Sequence, residues 1–131
     1  MNHALLFLIP VVSQQGQEPL YIQEARAREF GHKVMDAFEE HFKPNKQVVK
    51  YYYQSHIGRE ILIQIDEHSS PDSKVILEVL TRLKSRFGVK RFIVQFGRLW
   101  EEESPTTAVL GSNAPVKAFS LRFEKHGESI L

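Results

Sequence analysis

Tyr51, Tyr52 and Tyr53 form the densest aromatic group in this 131-residue chain. In an extended strand successive side chains alternate faces, so Tyr51 and Tyr53 would share one face and Tyr52 the other. With Lys50 and Arg59 close by, an exposed Tyr51/Tyr53 pair would offer the stacked rings and cations that hold single-stranded nucleic acid. The plainer account is structural, because tyrosines pack well on half-buried strands.

A second polar group, Asp66, Glu67 and His68, follows an apolar run at the start of a loop, where a rigid element can aim catalytic groups. With His56 it supplies the acid and base types a small enzyme needs. A triad assembled from immediate neighbours is implausible, since triad groups must converge while adjacent residues of an extended chain diverge. His32, Asp36 and Glu40 fall one helical turn apart, but on an open helix face they read as solubility residues, with no metal expected. Trp100, ahead of the Glu101-Glu102-Glu103 run, could anchor an interface or pack into the core.

Lys74, Arg82, Lys84, Arg86, Lys90 and Arg91 make the densest basic region. A solvated face is the favoured account over phosphate binding, and Glu78, four residues before Arg82, supports an exposed helix there. Gly97, Gly111 and Gly127 stand alone, without a GxGxxG or GxxxxGK[ST] pattern, so the usual phosphate cradles are missing and no cofactor is expected. The paired aromatic motifs of ferredoxin-like RNA-binding modules are missing too, since the corresponding strands read Leu6-Phe7-Leu8 and Ile61-Leu62-Ile63.

Seven segments must position these residues. Leu5 to Ile9 is continuously apolar and reads as a central strand. Ile22, Phe30, Val34, Phe38 and Phe42 recur at helical spacing and predict a long amphipathic helix ending near Pro44, with Gly31 marking either close packing or a bend. Val48 to Tyr53 and Ile61 to Ile65 read as strands joined by a turn over Ser55 to Arg59. Ser70 and Pro71 read as the start of a second helix carrying Val75, Ile76, Val79, Leu80, Leu83 and Phe87, with Gly88 as its C-cap. Arg91 to Phe96 and Ala118 to Phe123 read as strands, the latter alternating as an edge strand does. The polar stretch between them, residues 101 to 115, reads as a long loop.

This order predicts one α+β domain over residues 1–131. The expected architecture is a ferredoxin-like β-α-β-β-α-β sandwich with an additional C-terminal strand, its two helices on one face of a mainly antiparallel sheet. A hydrophobic content of 42% with 25% charged residues suits a globular core. A net charge of +1 is far from the balance of duplex-binding proteins, and Ala4 to Val12 is too short to span a bilayer. The absence of cysteine excludes disulfides, thiolate metal sites and a cysteine nucleophile, and agrees with a reducing, cytoplasmic setting.

Two helices can cover one side of a sheet, so the other side is expected to meet a partner. The leading expectation is a non-catalytic binding or assembly module acting as a homo-oligomer, with another protein as a further partner class and no membrane. The alternatives are single-stranded nucleic-acid binding and a small enzyme with a pocket between sheet and loop. The candidate binding residues are Lys50, Tyr51, Tyr53, His56, Arg59, Asp66, His68 and Trp100.

Overall fold

Apolar residues at helical spacing close one face of each helix, and period-two patterning closes one face of each strand. The computed structural model describes the backbone of residues 18–108 and 115–131, with side chains outside residues 101–120. Helix α1 (Leu20–Phe42) leads through a 3-10 turn (Lys43–Asn45) to β1 (Tyr51–His56) and β2 (Glu60–Asp66). Helix α2 (Ser73–Phe87) follows, then β3 (Arg91–Ala108) and β4 (Pro115–Ile130).

The four strands form one sheet in the order β1-β2-β3-β4. β1 and β2 are an antiparallel hairpin, β2 and β3 run parallel, and β3 and β4 are again antiparallel. The sheet is therefore mixed, because α2 carries the chain back to the end at which β2 began, as a parallel neighbour requires. A ferredoxin-like order would put the chain's first strand between the strands flanking the second helix, whereas here those two bond directly to each other. The expected strand over residues 5–9 lies outside the described residues.

Both helices cover the same side. Tyr51, Tyr53 and Ser55 of β1 stand in register with Ile65, Ile63 and Ile61 of β2, which stand beside Phe96, Val94 and Phe92 of β3. Onto this layer pack Val34, Met35, Phe38 and Phe42 of α1 and Ile76, Val79, Leu80 and Leu83 of α2 in one buried cluster. Each fully buried isoleucine of β2 stabilises the fold by about 1.5–3 kcal/mol relative to exposure.

Gly31 marks close packing rather than a bend. Helix α1 is continuous through it, and a Cβ there would overlap the Ser55 side chain of β1. Helix α2 starts later than its sequence suggests. Asp72 is the N-cap, its carboxylate accepting the Val75 N–H at 3.0 Å, while Ser70 hydrogen-bonds Val48 and Pro71 is buried. Gly88 closes the helix in the left-handed conformation, at φ 70°.

The largest departure is the segment expected as a loop. Residues 101–108 continue β3, and residues 115–117 begin β4, as one long hairpin. Polar composition favoured a loop, but pairing as a two-stranded ribbon satisfies the backbone N–H and C=O groups of such a segment whatever its composition. Among the described residues β4 is the last strand of the sheet, the position its alternation predicts. Its C-terminus is secured by reciprocal backbone bonds between Phe92 and Leu131, at 3.0 and 2.9 Å.

Candidate functional site

The side of the sheet away from the helices is striped. Cross-strand register sets Gln54, Leu62, Ile93 and Ile130 in one row. The next row holds Tyr52, Gln64, Gln95 and Glu128. Gln64 Nε2 donates to Gln95 Oε1 at 3.2 Å, and Gln95 Nε2 donates to Glu128 Oε2 at 3.0 Å, so the second row is an internally bonded polar ladder. The Gln95 bond, together with Lys125 nearby, lowers the Glu128 carboxyl below its ordinary value. At the far end of the face His56, Glu60 and Arg91 share a row, and Arg91 pairs with Glu60.

Apolar side chains flank the ladder on both sides. Tyr52 is 47% exposed and Ile130 65% exposed. Tyr52, Gln64, Leu99, Leu121, Arg122 and Phe123 line a shallow hollow of about 260 Å³. This surface is the candidate interaction site.

The tyrosine pair lies on the opposite face from a stacking platform. Tyr51 packs edge-on against Phe38 at 5.4 Å between centroids, and its hydroxyl donates to Glu39 Oε1 at 2.8 Å. Tyr53 stacks on Tyr51 at 6.3 Å, and its hydroxyl lies 3.0 Å from His32 Nδ1. Burial, followed by the carboxylates of α1, raises both phenols above their ordinary value. Only Tyr52 of the three faces the helix-free side.

The remaining candidates are spread over the molecule. Lys50 is exposed just before β1, with its backbone N–H donating to Ser69 Oγ at 3.1 Å. Arg59 occupies the hairpin turn at φ 59°, its carbonyl accepting the Lys90 N–H and its guanidinium lying over Phe30. Trp100 lies between the guanidinium groups of Arg98 and Arg122, each 5.4 Å from its ring, and its buried Nε1 has no hydrogen-bond partner among the described residues.

His56 and Asp66 stand at opposite ends of the β1–β2 hairpin, so the acid-base set does not converge. Asp66 and His68 do meet, with 3.2 Å between Oδ1 and Nδ1. Asp66 is only 6% exposed. Burial by itself would raise its pKa, but hydrogen bonds from the backbone N–H groups of His68 and Leu99, with the His68 ring, outweigh it and lower the pKa. Its carboxylate thus ties three segments together. Glu67 alongside contacts Arg98 and His126 at 3.7 and 3.5 Å.

Two further grooves follow the outer side of β1 beneath α1. One, of about 850 Å³, is lined by Glu24, Arg28, His32, Tyr53, Ser55 and His56 among others. The other, of about 680 Å³, runs past Glu39 and Val48 to Tyr53. Periodicity places Glu24, Arg28 and His32 on one helix stripe, but the sequence carries no signal that this stripe overhangs a strand. Among the described residues no group of three or more His, Asp or Glu side chains could hold a metal ion, and no helix is long and apolar enough to cross a membrane. No protein-family model matches the chain, and comparison with curated proteins and with solved structures gives no match.

Proposed function

We propose that this chain is a non-catalytic binding or assembly module that works as a homo-oligomer through the helix-free face of its sheet. The observation that carries the reading is the Leu62–Ile93–Ile130 row on one side of the ladder and, on its other side, the hollow where Leu121 and Phe123 meet Tyr52 at the end of the ladder row. Apolar surface on that side gains free energy when covered, at about 25 cal/mol per Å². In the polar ladder between the two patches Gln64, Gln95 and Glu128 already bond one another, and Lys125, 3.7 Å from the Glu128 carboxylate, offsets the charge that burial would penalise.

The two alternatives have weaker support. Single-strand binding would use Tyr51 and Tyr53, whose rings are engaged with α1 and with each other. An enzyme using His56, Asp66 and His68 would need His56 brought across the length of the hairpin.

Sedimentation equilibrium at micromolar concentration tests the proposal. The expected mass exceeds the 15.2 kDa of one chain and falls when Leu121→Glu and Ile130→Glu are introduced together. A native protein of monomer mass, or an assembly indifferent to both substitutions, overturns the reading.

A further inference from the structure

A second self-association surface lies at the sheet edge. We propose that β1 is extended by β1 of a second copy of this chain, antiparallel, across a two-fold axis at Tyr53. The argument begins with the backbone. The Asp66 N–H donates to the Lys50 carbonyl at 2.8 Å, just outside the Tyr51–Ile65 pair. Antiparallel ladders alternate bonded and non-bonded pairs, so Tyr52, Gln54 and His56 turn their backbone groups toward β2 while Tyr51, Tyr53 and Ser55 turn theirs outward. Among the described residues no strand pairs with that outer side. The strand also lacks the usual protections of an exposed edge, having no proline, lysine or bulge between Tyr51 and His56.

Symmetry then fixes the register. An axis at Tyr53 sets Tyr51 opposite Ser55 of the second copy and Tyr53 opposite its equivalent, so every outward residue meets an outward residue. Moving the axis by one residue leaves one of them unmatched. His32 bonds Tyr53, so the same axis passes close to His32 and runs the two copies of α1 antiparallel. Four residues to either side lie Arg28 and Asp36, which places each Arg28 opposite the other copy's Asp36. Arg28 lines the edge groove, and Asp36 lies close enough to act on the Tyr53 phenol. One turn further out Glu24 meets Glu40, whose charge Lys43 already offsets at 3.0 Å.

A second copy fits this edge better than a neighbouring strand of the same chain. A strand entering α1 from there, parallel to β1, would make a crossover of the hand opposite to β2–α2–β3, because β1 and β2 run oppositely under helices on one face. Parallel crossovers are right-handed in about 98% of cases.

The chain has no cysteine, which allows a register-specific test. Tyr52 and Gln54 are exposed, and the proposed axis places each directly opposite the other across the junction. Tyr52→Cys and Gln54→Cys proteins, mixed and oxidised, are expected to form a cross-linked heterodimer. Each alone should not, since identical positions lie roughly 8 Å apart, beyond disulfide reach. Arg28→Asp should reduce the cross-link several-fold, and adding Asp36→Arg should restore it. A mixture that cross-links no better than either variant alone overturns the proposal, as it would if another segment or partner occupied the edge. The mass of the Arg28→Asp and Arg28→Asp/Asp36→Arg proteins is a second measurement free of cysteine, and indifference to the charge swap is equally fatal. Leu121→Glu with Ile130→Glu should leave the cross-link intact, so failure at the face and failure at the edge are told apart.

Discussion

Asp66 Oδ2 accepts the backbone N–H of Leu99 at 3.2 Å, so the last residue of β2 holds β3 where their parallel pairing ends at Gly97. The other carboxylate oxygen accepts the His68 N–H at 2.7 Å and fixes the exit toward α2. Replacing Asp66 by Ala strands a buried N–H and frees that exit. The expected loss is about 1–3 kcal/mol, read from the urea midpoint at unchanged slope.

The same carboxylate sets an acid limit. Its folded-state pKa is depressed below 3.8, so its contribution is present above the unfolded value and is lost as pH falls through the folded one. Native protein should therefore lose stability more steeply below about pH 4 than Asp66→Asn does, as followed by thermal melts across that range. Parallel curves for the two proteins would contradict this.

Gly31 and Ser55 bring α1 and β1 together, and a methyl group between them requires the helix to move. Gly31→Ala should cost about 1–3 kcal/mol as an overpacking substitution. Gly31→Ala with Ser55→Gly should recover part of that loss, whereas Ser55→Gly by itself should not stabilise the protein. Chemical denaturation of the three variants measures the coupling.

Tyr51 and Tyr53 should ionise late in an alkaline titration. Burial, with Glu39 and Asp36 nearby, raises both phenols above 10.0, so the neutral forms stabilise the fold below that pH and the contribution fades as pH rises through the folded values. Absorbance near the phenolate band should show a late phase that shrinks in Tyr51→Phe and again in Tyr53→Phe. A single early transition in the native protein would place both rings in water.

A sequence pattern reports what a segment buries, and here it located both helices, the β1–β2 hairpin, the core of β3 and, among the described residues, the edge position of β4. Ile61, Ile63 and Ile65, or Val34 and Phe38, carry periodicities that local geometry converts directly into elements. The charged run Glu101-Glu102-Glu103 misled for the same reason, because its strand state comes from pairing with β4 and not from its own composition. The site was half legible. Alternation predicted that Tyr51 and Tyr53 share a face and Tyr52 takes the other, but which face the helices cover is decided by contacts with Phe38, Glu39 and His32, far away in sequence.

The sequence by itself determined the α+β class, the run of elements from α1 to β4 and the buried stripe of each helix, since those follow from side-chain spacing along a single segment. Tertiary structure alone decided that β2 and β3 run side by side in parallel, that Gln64, Gln95 and Glu128 join into a ladder, and that among the described residues no strand pairs with the outer side of β1. Each of these depends on which strands meet, a choice made by loop closure and packing between residues distant along the chain, and no local pattern encodes it.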